Sequence, residues 1–235
     1  MKRLFASCLF LLSGTIHAGT ADDSTFRSTY AAQDIALDTD VQSAFWQGAS
    51  SVYAEVDPWG HPVPAYRTRI SSRWTKKNLY LLYECPYEDL YLKPSPDAVN
   101  ETNELWNWDV AELFIGSDFN NIRRYYEFEV SPQQEWIDLD VNLDLPDHTV
   151  GWTWNSGFQV SARIDPNAKI WYAAMRIPFK AIDRRRPVAG RIFRANLFRS
   201  QGPPHRRIEI EWKAPMSNTF HVPEKFGQLV LVKDK

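Results

Sequence analysis

The chain has 235 residues and a formal net charge of −2, with 10 tryptophans, 10 tyrosines and 13 phenylalanines. This charge balance gives no support to binding of nucleic acid or of an anionic membrane, because both partners call for a basic surface. The two cysteines provide no disulfide framework, and the length is sufficient for the chain to bury a core of its own.

The first 18 residues, MKRLFASCLFLLSGTIHA, have the pattern of a secretory signal peptide. Two basic residues precede an apolar run that is shorter than the ~20 residues of a membrane-spanning helix. We therefore expect an exported protein, periplasmic or extracellular, with no membrane span. Removal of this segment leaves 25 of the 27 basic residues against 29 acidic ones, a formal charge of −4, and leaves Cys85 as the single cysteine.

The polar residues 19–33 are expected to be a loose leader, and residues 34–235 to form one domain. Ten short extended segments, separated by turn signals, predict an all-β fold: an antiparallel, jelly-roll-like β-sandwich of about ten strands. One short helical turn is predicted around Pro178 to Ile182. The predicted strands are 67–74, 78–86, 109–115, 125–131, 135–141, 158–164, 170–176, 192–199, 208–212 and 228–232.

Alternation along two of these strands sorts residues onto faces. In YYEFEVS, Tyr126, Phe128 and Val130 share the core face, while Glu127 and Glu129 share the other, which is interpreted as a solvated outer face. In RIFRANLFR, the same rule places Asn196 on a polar face, where it is available to a ligand.

The segment ELWNWDVAEL contains two tryptophans one residue apart, with carboxylates around them. In an extended chain Trp106 and Trp108 project to the same side and form an aromatic platform. Flat indole faces suit the C–H faces of a sugar ring, and nearby carboxylates and amides bind its hydroxyls. The alternative is that each tryptophan fills the core. The second pair, Trp152 and Trp154, is interpreted as ordinary sheet packing.

Several motifs resemble the carbohydrate-binding module family 9-like group. The segments are WDVAELFIGSD, YYEFEVSP, RANLFR, FHVPEKFGQLVL and the entry segment LDTDVQSAFWQGA. They occur in the expected order over nearly the whole chain after residue 18. The resemblance implies a β-sandwich that binds sugars, often at the reducing end of a chain, between two aromatic rings. It also implies an association with polysaccharide-degrading enzymes, and we expect a monomer without catalytic residues of its own.

The resemblance assigns site roles to individual residues. Trp106 followed by Glu112 matches the family's stacking ring and hydroxyl-binding carboxylate, and Asn196 matches a polar residue of the same cleft. The second ring departs from the family pattern, because Arg199 stands near the position of a tryptophan. Arg199 is then expected to hydrogen-bond or stack, with Trp212 as the second wall.

The resemblance further implies calcium ions, which often brace the fold of this family. Ca²⁺ takes six to eight oxygen ligands, and two acidic stretches offer some of them. One is the turn at 118–121; the other is the series Asp138, Asp140, Asn142 and Asp144. Because alternate residues lie along one strand face instead of wrapping a loop, the series is interpreted as a solvated acidic face.

Two other functions are considered. A haem-binding redox sandwich would use Met175, Met216 or a histidine as axial ligand, although the chain has no CxxCH motif. A glycoside hydrolase would need two carboxyl groups that face each other across a cleft. His61, His148, His205 and His221 have no spacing typical of a metal site, and His221 is interpreted as shaping a closing turn.

Overall fold

The computed structural model describes residues 24–233, which form twelve β-strands and two short helices. Helix α1 spans Ala44–Gln47 and helix α2 spans Phe179–Ile182. The strands are β1 Thr25–Tyr30, β2 Ser50–Ala54, β3 Thr68–Trp74, β4 Asn78–Pro86, β5 Val110–Gly116, β6 Arg124–Val130, β7 Trp136–Asn142, β8 Gln159–Asp165, β9 Ile170–Pro178, β10 Ile192–Gln201, β11 Ile208–Glu211 and β12 Gly227–Val232.

The strands follow the order β7-β6-β5-β10-β12-β1-β3-β4-β9-β8, with β11 paired to β10 and β2 paired to β3. Strand β1 runs parallel to both of its neighbours, β12 and β3, while the other pairs are antiparallel. The sheet is therefore mixed and nearly barrel-shaped, and its halves enclose one apolar core. Leu81, Leu113, Phe128, Trp171 and Leu197 are fully buried there.

One half of the sandwich is covered on both sides. Its strands β5, β6, β7 and β10 send alternate side chains into a second apolar cluster on the outer face, around Phe114, Tyr125 and Leu139. Turns and loops that carry Leu105, Trp152 and other residues pack over this cluster. This outer face, which the sequence pattern predicts to be solvated, is therefore buried.

All ten predicted strands occur, with ends that shift by one or two residues, and the predicted helical turn is α2. The all-β sandwich is confirmed. Strands β1 and β2 and helix α1 were not predicted. The loose leader is wrong for residues 25–30, because β1 hydrogen-bonds between two buried strands and its Phe26 is fully buried.

The predicted signal peptide lies outside the described residues. Among residues 24–233, no helix is both long and apolar enough to cross a membrane. Cys85 is a free thiol buried in the core. The domain begins before residue 34, because β1 belongs to the same sheet.

Candidate functional site

A cavity of about 390 Å³ opens over the outer face of β5, β6 and β10. Its walls come from a turn before β5, from β11 and from the loop that follows it. The residues that determine its chemistry are Trp106, Glu112, Glu127, Arg207, Phe220 and His221.

Three carboxyl groups lie together at the base of this cavity. Sheet register explains their proximity, since Glu112 of β5 is directly opposite Glu129 of β6, and Glu127 is two residues along the same face. One oxygen from each lies within 4.8 Å of the others. We call these three residues the carboxylate cluster. Glu112 and Glu127 line the cavity, and Glu129 lies beneath it, fully buried.

The carboxylate cluster is shielded from water, which changes its acidity. Burial raises the pKa of Glu112 well above its usual range, and the charge of Glu127 adds to the effect. Burial, followed by the charges of Glu112 and Glu127, does the same for Glu129, and burial raises the pKa of Glu127 to about 7. The predicted solvated outer face for Glu127 and Glu129 is therefore wrong, because loops cover this side of β6.

Trp106 lies in a turn and not in an extended segment. The turn is a single 3-10 turn over Leu105–Asn107, and it is anchored by the fully buried side chain of Leu105. Arg207 fixes the turn from below, because its guanidinium donates hydrogen bonds to the main-chain carbonyls of Trp106, Asn107 and Trp108. These carbonyls have no partner within so short a turn, so Arg207 satisfies them.

The expected platform of Trp106 and Trp108 does not form. Trp106 is half-buried and lines the cavity, whereas Trp108 stacks on Tyr91 with 4.7 Å between ring centroids and is not among the lining residues. The 3-10 turn is the reason, because it points these two side chains in different directions, whereas an extended chain would point both to the same side.

A second aromatic wall comes from the loop before β12. Phe220 lies parallel to Phe198 of β10, with 4.3 Å between centroids and 7° between planes, so its ring is held in place. Beside it, His221 packs on Phe114 at 5.1 Å. Phe220 and His221 line the cavity, whereas Arg199 and Trp212, which the resemblance suggested for this wall, do not.

His221 is held in a neutral form within this wall. Its Nδ1 lies 2.6 Å from the hydroxyl oxygen of Tyr125, and its Nε2 lies 3.1 Å from Nε2 of His148. Burial, with a further contribution from His148, lowers the pKa of His221 to about 3. The residue therefore contributes a polar, uncharged edge to the cavity.

The other predicted site residues lie elsewhere. Asn196 is fully buried; its amide donates to the carbonyl of Lys213 at 2.8 Å and its oxygen accepts from the Lys213 main-chain N–H at 3.1 Å. Arg199 is fully buried on the core side of β10, where it donates to Thr68. Trp212 is buried beside Phe26. None of these three residues lines the cavity.

The acidic stretches suggested for calcium do not converge. The carboxylate of Asp118 accepts main-chain N–H groups of its own turn, Asp138 accepts from Ser156, and Asp144 pairs with Arg123. The carboxylate of Asp109 is also engaged, since it accepts hydrogen bonds from Tyr91, Gln201 and Gly202.

The residues considered for haem are likewise dispersed. Met175 is buried in the core, whereas Met216 is exposed and does not line the cavity.

A larger cavity of about 870 Å³ lies at the opposite side of β6 and is lined by Trp154, which stacks on Tyr126. None of the residues predicted to bind sugar lines it. We regard the smaller cavity as the candidate site, because it joins aromatic rings to a cluster of carboxyl groups.

Of the residues predicted to bind sugar, Trp106 and Glu112 line the cavity, and most of its other lining residues were not predicted. Glu127 and Glu129 were visible as an alternating pair, yet only the register with β5 reveals what they face. Arg207, Phe220 and His221 come from loops far along the chain, and no local pattern connects them to Trp106.

Comparisons with known proteins agree with this architecture. The family described as carbohydrate family 9 binding domain-like matches residues 37–234. An extracellular protein of Arthroderma benhamiae (strain ATCC MYA-4681 / CBS 112371) is 24% identical over 181 residues, which cover 72% of this chain and 80% of that protein.

Two solved structures of a carbohydrate-binding module family 9 from Caldicellulosiruptor kristjanssonii share the fold. The complex with cellotriose has a TM-score of 0.62 at 16% identity and covers 90% of this chain and 95% of its own. The complex with glucose has a TM-score of 0.60 at 16% identity, with coverage of 89% and 97%.

Proposed function

Because the chain belongs to the carbohydrate family 9 binding domain-like family, we propose that it is an exported protein that binds a saccharide in the cavity between Trp106 and Phe220. The observation that carries this proposal is that an accessible indole ring and a buried carboxylate, Trp106 and Glu112, line one cavity. Family members of known structure bind glucose and cellotriose.

The aromatic walls supply the apolar part of recognition. A pyranose has C–H faces that pack well against flat rings, and an aromatic contact of this kind contributes roughly 0.5–1.5 kcal/mol beyond the area it buries. Trp106 is positioned by Arg207, and Phe220 is positioned by Phe198. The turn that carries Trp106 and the ring of Phe220 are thus held in place before a ligand arrives, which reduces the entropy cost of binding.

The polar groups of the cavity supply direction. Glu112, Glu127, Ser200 and Glu209 offer oxygen atoms that accept hydrogen bonds from sugar hydroxyls. Ser200 already connects two of the acids, because its hydroxyl lies 2.7 Å from Glu209 and 3.3 Å from Glu112. Sugar hydroxyls both donate and accept, so a wall of this composition suits them.

Binding fits this arrangement better than hydrolysis does. Glycosidases place two carboxyl groups on opposite sides of the scissile bond, roughly 5–10 Å apart. Here the three carboxyl groups of the cluster share one face of β5 and β6, and their oxygens approach within 4.8 Å. A sugar in the cavity would meet Glu112 and Glu127 from the same side, with Glu129 buried beneath them.

The biological setting follows from the same proposal. An exported binding domain of this type, freed of residues 1–18, would support carbohydrate catabolism by attachment to polysaccharide beside degrading enzymes. The charge of −4 that remains, and the acidic cavity floor, suit a neutral saccharide better than an anionic one.

The test is calorimetric titration of the mature protein with glucose and cellotriose, on the wild type and on Trp106→Ala. The substitution should weaken binding by on the order of 1–3 kcal/mol, because it removes the main stacking surface. Trp59→Ala is the matched control, since that ring is 47% exposed and does not line the cavity.

The proposal fails if neither sugar, nor any member of a neutral glycan array, binds the wild type. It also fails if Trp106→Ala and Trp59→Ala bind a sugar as tightly as the wild type does.

A further inference from the structure

The carboxylate cluster carries more negative charge than the described residues around it can neutralise. Both carboxylate oxygens of Glu129 and Oε2 of Glu127 are buried and lack a hydrogen-bond donor within residues 24–233. Glu129 is 0% exposed. A buried carboxylate without donors is strongly disfavoured, and two more carboxylates within 4.8 Å add repulsion.

The neighbouring positive groups do not resolve this imbalance. Arg207 faces the cluster, but its hydrogen bonds go to main-chain carbonyls of the Trp106 turn and to Glu209. His221 Nε2 is 4.0 Å from Glu127, yet this ring is neutral and is engaged by Tyr125 and His148. The charge that balances the cluster must therefore come from outside the chain, as protons or as a cation.

We propose that the carboxylate cluster of Glu112, Glu127 and Glu129 is a divalent-cation site at the base of the cavity. The ligand set is three carboxylates, which is the preference of hard cations, and it contains neither the thiolates nor the imidazoles of a typical zinc site. Three carboxylates supply between three and six oxygens, so the chain alone provides at least half of a calcium shell.

The number of carboxylates favours Ca²⁺ over Mg²⁺, because Mg²⁺ usually binds only one or two carboxylates and keeps several waters. Ca²⁺ binds oxygen at about 2.3–2.6 Å, so two ligands on opposite sides lie up to ~5 Å apart, whereas Mg²⁺ at about 2.0–2.1 Å limits this separation to ~4.2 Å. One oxygen from each of the three residues lies within 4.8 Å of the others, a span that a calcium shell accommodates. These oxygens can surround the larger ion without movement of β5 or β6, whose positions are set by the core beneath them.

The location of the site connects it to the cavity. Glu112 and Glu127 line the cavity and Glu129 lies beneath it, so the ion's remaining coordination positions open toward the cavity. Hydroxyl oxygens of a bound saccharide are suitable ligands for these positions. This second step rests on the proposed function, and it makes sugar affinity dependent on the cation.

The test of the site uses CaCl₂ as the only ligand. Protein treated with EDTA and then dialysed is titrated with CaCl₂ by calorimetry, and its Tm is followed over the same range at neutral pH. We expect one saturable site and a rise in Tm of several degrees, because an ion that binds only the folded state stabilises it. MgCl₂ should bind at least about tenfold more weakly.

Two variants locate the site. Glu129→Gln should abolish Ca²⁺ binding, since it removes the deepest ligand while its amide supplies donors to the two remaining acids. Asp118→Asn should bind Ca²⁺ as the wild type does, because that carboxylate is used within its own turn. Should Glu129→Gln fail to fold by circular dichroism, Glu127→Gln replaces it with the same expectation.

The inference is overturned if CaCl₂ at millimolar concentration leaves calorimetry and Tm unchanged, which means that protons neutralise the cluster. Equal Ca²⁺ binding by wild type and Glu129→Gln overturns it as well. A parallel sugar titration in CaCl₂ and in EDTA separates the claims. Sugar binding without Ca²⁺ binding refutes the cation site and leaves the proposed function intact. Ca²⁺ binding without sugar binding refutes the proposed function and leaves the cation site intact.

Discussion

Arg207 holds Trp106 through the main chain and not through the indole ring. Its guanidinium donates to the carbonyls of Trp106 and Trp108, at 2.9 Å for the latter, and its Nε lies 3.4 Å from Glu209. The position of the turn that carries the proposed stacking ring therefore depends on a residue that is 101 positions further along the chain.

Replacement of this clamp should weaken sugar binding while the ring itself is retained. Arg207→Lys keeps the charge but loses the planar fork that contacts several carbonyls at once. We expect binding to weaken by roughly 1–2 kcal/mol, measured by calorimetry, together with a changed near-ultraviolet circular dichroism of the tryptophans. Arg206→Lys, at an exposed neighbouring position, is the control. Unchanged affinity and spectrum in Arg207→Lys would show that the turn needs no clamp.

The second wall of the cavity can be tested separately. Phe220→Ala removes a ring that lines the cavity and that packs on Phe198, so sugar affinity should fall by about 1–2 kcal/mol and stability by a smaller amount. Phe119→Ala is the control, since that ring is exposed and lies outside the cavity. If both variants bind cellotriose equally well, Phe220 is not part of the site.

Asn196 is expected to act on stability and not as a sugar ligand. It donates to and accepts from the main chain of Lys213, at the start of the loop that carries Phe220 and His221. Asn196→Ala removes both hydrogen bonds and should lower the free energy of unfolding by about 1–3 kcal/mol in urea titrations. A variant with unchanged stability and abolished sugar binding would instead identify Asn196 as a direct ligand.

The buried carboxyl group of Glu211 should make the free energy of unfolding depend on pH. This residue is fully buried without a hydrogen-bond donor in the described part of the chain, and burial, followed by the charges of Glu209 and Asp57, raises its pKa from 4.5 to about 9. The folded state therefore holds a proton that the unfolded state releases above pH 4.5. The resulting loss of stability is absent at low pH and grows as the pH rises toward 9.

Glu211→Gln removes this penalty. The variant should exceed the wild type by about 1–3 kcal/mol in free energy of unfolding at pH 8 and match it near pH 4. Urea unfolding at the two pH values measures the difference. An equal difference at both values would show that a neutral side chain at this position changes packing and not ionisation.

Much of the fold could be predicted because its signals are local. Turn residues separate ten segments of alternating or apolar residues, and each became a strand. Strand β1 has a weak signal, since TFRSTY contains few apolar residues, and its stability comes from pairing on both sides with distant strands. Parallel pairing of this kind depends on the tertiary structure and has no marker in the segment itself.

The site was only partly predictable, for a related reason. The spacing of Trp106 and Glu112 identified one ring and one acid, but a period-2 pattern could not distinguish a solvated face from a covered one at Glu127 and Glu129. Arg199 and Trp212 were predicted to form the second wall of the cleft, yet both side chains are buried in the core. Which face a strand exposes is decided by loops that arrive from elsewhere.

The most direct measurement is a titration of isotopically labelled mature protein with cellotriose, followed through the indole N–H signals of its tryptophans by NMR. The Trp106 signal, assigned by its loss in Trp106→Phe, should move saturably with sugar. The Trp59 and Trp154 signals should remain in place, since neither ring lines the cavity. Movement of Trp154 with a stationary Trp106 would place the sugar in the other cavity and contradict the account.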